Sequence, residues 1–197
     1  MREVELKSVV ADLASSRKAI EQAGGRLTFH GRLVDKRYGD AAGSLIGRDQ
    51  VLRLRVYESS GSREASLDWK GPTSFDEGYK IREEISTGIS DPEALEGILA
   101  GLGFLVVLEI ERTISQYELG AATVRFEEYP RMDTLVEVEG SPEDIEAAIQ
   151  LLGLSRSGFT SDRLSAFVAR FEARTGQRAA LSSRELAGNY VYSREAT

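Results

Sequence analysis

The sequence contains no cysteine and a single histidine, His30. The first absence excludes a disulfide framework, a thiolate nucleophile and a Cys-type zinc site. The second excludes a His-rich metal centre and any catalysis that needs two imidazoles. A metal would have to be held mainly by carboxylates, which favours a hard cation such as Mg²⁺ or Mn²⁺. A surplus of positive charge is also missing: the formal net charge is −7, which argues against a nucleic-acid partner. No apolar run approaches the roughly 18–20 residues that span a bilayer. Met1-Arg2-Glu3-Val4-Glu5 holds no apolar signal-peptide core, and no GxxxxGK[ST] run exists, so P-loop chemistry is excluded. These absences together predict a cytoplasmic enzyme with no membrane partner.

What is present fits one domain. The 197 residues are 41% hydrophobic and 29% charged, enough to bury a core without disulfides. The basic residues are 20 Arg and five Lys. Arginine suits bidentate contacts to phosphate, although genomic bias gives the same composition. Residues 2–7 alternate strictly, with Glu3, Glu5 and Lys7 on one face and Val4 and Leu6 on the other. Residues 12–23 read as a helix capped by Asp12 and stopped by Gly24-Gly25. Further strands are expected near 26–38, 51–58, 64–70, 79–87, 104–118, 122–129 and 134–139, joined by turns such as Ser59-Ser60-Gly61-Ser62 and Asp76-Glu77-Gly78. Two helices echo each other at an offset of 50 residues, Asp91-Pro92-Glu93 to Leu102-Gly103 and Ser141-Pro142-Glu143 to Leu152-Gly153. Each has an N-cap, Pro at N1 and acid in the first turn. Each follows a strand with two carboxylates, Glu83-Glu84 and Glu137-Val138-Glu139. A duplicated strand–helix unit accounts for this, and so does a shared capping grammar. A last helix is expected over 161–175, and residues from about 177 onward show no clear period. About eight strands with few long crossovers predict an antiparallel barrel or sheet with helices outside.

The charged strand faces carry the functional signal. Besides Glu3, Glu5 and Lys7 there are Arg53 and Arg55, Asp68 and Lys70, Lys80 with Arg82 and Glu84, and Glu137 and Glu139. A solvated outer face explains any one of these. Turned inward in a closed barrel, they would line a lumen with acids that can coordinate a cation and bases that can grip phosphate oxygens. Trp69 and Phe126 read as core rather than base-stacking platforms, and His30 as an incidental surface residue.

Glu3-Val4-Glu5-Leu6-Lys7 resembles the ExExK signature of the CYTH superfamily, the triphosphate tunnel metalloenzymes. The order of the remaining motifs supports this: Asp35…Tyr38, Leu52-Arg53-Leu54-Arg55, Asp68-Trp69-Lys70-Gly71-Pro72, Arg82 with Glu84, Arg112 with Tyr117, Val124-Arg125-Phe126-Glu127 and Glu137-Val138-Glu139-Gly140. The resemblance runs from residue 3 to about 171 and is greatest to the class IV adenylyl cyclase branch. It implies an α+β fold, an eight-stranded antiparallel β-barrel with helices packed outside, in a domain of residues 1–176 followed by a tail of 177–197. It also implies metal-facing acids at Glu3, Glu5, Glu127, Glu137 and Glu139, served by Mg²⁺ or Mn²⁺. The phosphate-gripping bases would be Lys7, Arg53, Arg55, Lys70, Arg82, Arg112 and Arg125. Glu3, Glu5, Lys7, Lys70 and Arg112 form the catalytic set, while Glu84 orients a base or makes a structural ion pair. Two positions depart from the family pattern: Ile110 replaces a frequent Lys, and Glu127 replaces an Asp.

The resemblance implies action on a nucleoside triphosphate or inorganic tripolyphosphate. The leading expectation is conversion of ATP to cyclic AMP and pyrophosphate. The alternatives are an inorganic tripolyphosphatase, a thiamine triphosphatase-like hydrolase, or a non-catalytic protein that binds polyphosphate or nucleotide. A homodimer is implied by the resemblance alone.

Overall fold

The computed structural model describes residues 2–76 and 79–192, and of Arg2, Glu3, Asp76 and Lys80 the backbone alone. Its strands are β1 (Arg2–Val9), β2 (Arg26–Gly39), β3 (Val51–Ser59), β4 (Ser62–Lys70), β5 (Ser74–Asp76), β6 (Tyr79–Gly88), β7 (Leu105–Leu119), β8 (Ala122–Glu128) and β9 (Leu135–Glu139). The helices are α1 (Leu13–Gln22), α2 (Ser44–Gly47), α3 (Pro92–Gly101), α4 (Pro142–Leu152), α5 (Leu164–Thr175) and α6 (Ser183–Leu186). The expected turn at Asp76-Glu77-Gly78 includes residues 77–78, which lie outside the described residues.

Every strand pairing is antiparallel. The order is β1-β9-β8-β7-β2-β3-β4-β6, and β6 pairs back onto β1 to close the barrel. Glu3 lies opposite Arg82 at the closure. β5 is a short extra strand on β6. Closure gives each of the eight barrel strands a strand neighbour on both sides over at least part of its length.

The apolar faces point outward, into a shell of helices. Leu6, Val124, Phe126, Val136 and Val138 meet Ile20 of α1 and Ile145 and Ile149 of α4. Tyr38 and Leu54 meet Leu99 of α3. Full burial of each such side chain contributes roughly 1.5–3 kcal/mol. These two hydrophobic layers therefore lie between wall and helices, which leaves the opposite faces of the same strands for the interior.

The helices begin where the sequence punctuates them. Asp12 accepts a hydrogen bond from Ser15 N at 3.0 Å, Asp91 from Ala94 N at 2.9 Å and Ser141 from Asp144 N at 3.2 Å. α4 ends on Gly153 at φ 65°, the left-handed C-cap geometry that glycine adopts without steric cost.

The stretch from 177 onward, without a period in sequence, includes a buried segment. Ala179, Ala180 and Leu181 are buried. Leu181 O accepts from Glu111 N at 2.7 Å, and Ala180 exchanges backbone hydrogen bonds with Arg131 at 2.8 and 3.1 Å. Ala179 and Leu181, with Val168 and Phe171 of α5, cover Leu108 and Ile110.

Candidate active site

The interior holds a cavity of about 290 Å³. Among the predicted site residues, Glu5, Lys7, Arg53, Arg55, Lys70, Arg82, Arg112, Arg125, Glu127, Glu137 and Glu139 all line it. The side chain of Glu3 lies outside the described residues. The closed barrel thus turns the charged faces inward. Among the described residues nine basic and eight acidic side chains line the cavity.

The bases are held in place by acids. Lys7 Nζ lies 2.8 Å from Glu5 and 2.7 Å from Glu137. Arg125 donates to Glu137 at 2.9 Å and to Gln116 at 3.0 and 2.9 Å. Arg112 bridges Glu127 at 2.8 Å and Asp35 at 3.1 Å. Arg55 donates to Asp35 at 3.1 Å, and Arg53 to Asp68 at 3.2 and 2.9 Å. Lys70 pairs with Glu84 at 3.1 Å. Arg82 is held by backbone carbonyls, donating to Gly71 O at 2.7 Å and Asp49 O at 2.6 Å. Asp49 has φ 52°, a left-handed conformation that aspartate tolerates better than most residues. Its carboxylate accepts from Thr73 N at 2.7 Å and from Arg163 at 2.9 Å. The loop before β3 is thereby fixed to the start of α5.

These contacts set the ionisation of the wall. Burial pulls the Lys7 ammonium down, but Glu137 and Glu5 outweigh it and hold it well above the ordinary lysine value. Burial pushes Glu137 up, and Lys7 with Arg125 hold it well below the usual carboxylate range. Asp35 is likewise held far down, against burial, by Arg112, Arg55 and Arg53. Burial and then Glu127 push the Tyr129 hydroxyl well up, and Tyr129 donates to Glu127 at 2.6 Å. These acids are therefore charged and Tyr129 is neutral near pH 7. Lys7, Glu137, Asp35 and Tyr129 all move away from neutral pH, where a general base works best.

The carboxylates also bear on a metal. Among the described residues no group of three or more His, Cys, Asp or Glu side chains gathers as a cation site. Glu5 and Glu137 nevertheless converge on one cationic centre, the Lys7 ammonium, and Glu139 lies opposite Glu5 across the β1–β9 pairing. An all-carboxylate set of this kind suits a hard divalent cation.

The structure adds residues that the sequence reading left out: Asp35 as the hub of three arginines, Arg37, Asp49, Tyr129, Asp162 and Arg163. Asp35-Lys36-Arg37 is three charges in a row, which blurs the period-2 signal. Lys36 points outward to Glu96 of α3 at 2.6 Å, and Arg37 inward. Ile110 shares the face of Arg112 but is only 3% exposed, packed with Val168 and Phe171. It marks the junction of the charged lumen with an apolar layer, which explains why a charge is absent there. Trp69 is half-buried, Phe126 is core, and His30 is exposed with Nδ1 2.9 Å from Ser115 Oγ.

The barrel is closed and antiparallel, with a cavity lined mainly by acids and bases and with apolar layers against its helices. The CYTH domain model matches residues 1–155, and the chain belongs to the CYTH family. No curated protein matches this chain. Among solved structures it is similar to a Vibrio parahaemolyticus protein provisionally named an adenylate cyclase, at 18% identity and TM-score 0.73, covering 85% of this chain and 97% of that one. It is also similar to a protein of Pyrococcus horikoshii OT3, at 26% identity and TM-score 0.68, covering 85% and 98%. A Hippeastrum protein provisionally named an adenylyl cyclase, with a dominant triphosphatase activity, matches at 15% identity and TM-score 0.60, covering 88% and 95%. No helix among the described residues is long and apolar enough to cross a membrane.

Proposed function

We propose that this protein is a divalent-metal-dependent enzyme that grips a triphosphate in the tunnel and cleaves one of its phosphoanhydride bonds. The observation that carries this is the convergence of Lys7, Arg53, Arg55, Lys70, Arg82, Arg112 and Arg125 on one enclosed cavity. Phosphoryl chemistry needs positioning and charge neutralisation more than it needs a reactive side chain. Guanidiniums tethered by carboxylates are pre-positioned, so their ordering entropy is spent in folding rather than in binding.

Lys7 and Lys70 act as point charges on phosphate oxygens, and the arginines as bidentate forks. Glu5, Glu137 and Glu139, together with Glu3, would hold Mg²⁺ or Mn²⁺. Such a cation neutralises phosphate charge and acidifies an attacking hydroxyl or water. A phosphate that draws Lys7 away leaves Glu5 and Glu137 available to that cation.

The leading reaction is the class IV adenylyl cyclase one. The ribose 3′-oxygen bonds to the α-phosphorus and gives up its proton to solvent, the bond from the α-phosphorus to the β-phosphate oxygen breaks, and pyrophosphate remains on the basic wall. Ile46, Val51 and Leu164 add apolar surface to the lining, where the nucleoside can rest. The second reading, hydrolysis of a terminal phosphate from tripolyphosphate or an organic triphosphate, is favoured by the cavity's size. At about 290 Å³ it lies at the low end of small-molecule sites, which run to roughly 1,000 Å³, and it suits a bare phosphate chain. The test is a product assay with Mg²⁺ or Mn²⁺ on ATP, inorganic tripolyphosphate and thiamine triphosphate separately. Cyclic AMP with pyrophosphate establishes the cyclase, and orthophosphate establishes the hydrolase. Binding without product refutes enzymatic function.

A further inference from the structure

Arg37 lies directly opposite Arg53 across the β2–β3 pairing, and both side chains line the cavity. Directly opposed side chains on one sheet face have Cβ atoms only about 4.5–5.5 Å apart, and like charges there repel. Arg112 of β7 and Arg82 of β6 line the same cavity and add to the repulsion, with Asp35 opposing it. Burial, followed by Arg53, pushes the Arg37 guanidinium down to about 10 while Asp35 acts the other way, so it stays charged at neutral pH. A wall that crowds guanidiniums becomes favourable once an anion sits between them. On β7 the residue facing Asp35 is Ile110, and the one facing Arg37 is Leu108. Arg37 therefore brings to this side of the cavity a cation that β7 does not supply.

We propose that Arg37 and Arg53 together form a two-guanidinium subsite for one phosphate group of the bound triphosphate. The proposal rests on the triphosphate reading above. It is tested by titrating inorganic tripolyphosphate calorimetrically into wild type and Arg37→Gln with EDTA present, alongside thermal unfolding without ligand. Arg37→Gln should bind about 10- to 100-fold more weakly, the equivalent of one charged hydrogen bond. Its ligand-free Tm should equal or exceed that of wild type. Equal affinity overturns the proposal, and so does a lower ligand-free Tm, which would make Arg37 a structural counter-ion of Asp35. Should Arg37→Gln not fold, Arg37→Lys keeps the charge but loses the fork. Several-fold weaker binding by it supports the subsite, and wild-type affinity overturns it. If wild type binds neither tripolyphosphate nor ATP, the triphosphate reading falls and this subsite with it. If wild type binds and the variant binds as tightly, this inference alone falls.

Discussion

Replacing Asp35 with Asn removes one negative charge and almost no volume from the centre of the wall. Asp35 is 2% exposed, accepts from Arg55 and Arg112 at 3.1 Å each, and lies 3.6 Å from Arg53. Three guanidiniums lose a shared counter-ion, and removing one partner of a buried ion pair costs about 3–5 kcal/mol. For a chain of this length about 1 kcal/mol corresponds to roughly 2–4 °C, so ligand-free Tm should fall by about 6–20 °C. Triphosphate binding should move the other way, because the anion now replaces the missing charge. A phosphate charge about 6 Å away gains roughly 3 kcal/mol at an effective dielectric near 20. Part of that gain is lost because the arginines are less well held, which leaves an expected tightening of about tenfold, or 1.4 kcal/mol. At a fixed tripolyphosphate concentration the ligand-induced rise in Tm should then be larger in the variant by about 3–5 °C. The acid limb gives a second check. The folded-state pKa of Asp35 is depressed, so its stabilisation is complete above the unfolded value near 3.9 and is lost as pH falls toward the folded value. The stability gap between wild type and variant should therefore narrow only below about pH 4. A variant that melts with wild type, or that tripolyphosphate stabilises less, refutes the role of Asp35 as the arginine hub.

Glu5→Gln should abolish turnover while Lys7 keeps its contact with Glu137, 2.7 Å away; steady-state kinetics at ordinary metal concentration decide, and full activity removes Glu5 from the site. Lys70→Ala should weaken tripolyphosphate binding by about 1.5–3 kcal/mol with ligand-free Tm level or higher, since Glu84 also lies 3.6 Å from Arg53; calorimetry and a melt check both parts, and a large loss of Tm shows a structural role. Ile110→Lys places a charge against Val168 and Phe171 and should cost several kcal/mol of stability without tightening tripolyphosphate; an unchanged Tm with tighter binding overturns the packing account.

Local pattern was legible wherever it was short-ranged. Strict alternation in residues 2–7 assigned Leu6 and Lys7 to opposite faces, and they lie in the helix-backed core and the cavity respectively. The caps at Asp12, Asp91 and Ser141 were readable because capping involves residues three apart. β2 was less legible. Its charged run hid Arg37, and only the pairing of β2 with both β3 and β7 shows which of Lys36 and Arg37 is inside. Ile110 lines the cavity beside Arg112, but no local pattern shows that α5, Ala179 and Leu181 arrive from far along the chain to cover it.

By itself the sequence determined the eight barrel strands, the four longer helices and which residues share a face, because these follow from backbone periods of 2.0 and 3.6 residues; the short β5, α2 and α6 had no such signal. It could not determine which face is the inside, since a charged stripe on an open sheet and one in a lumen have the same period. That was decided by β6 pairing with β1. Closure then brought Asp35 of β2 to Arg112 of β7, and Lys7 of β1 to Glu137 of β9. These contacts join residues 77 and 130 positions apart, and only long-range pairing, which no local pattern encodes, sets them.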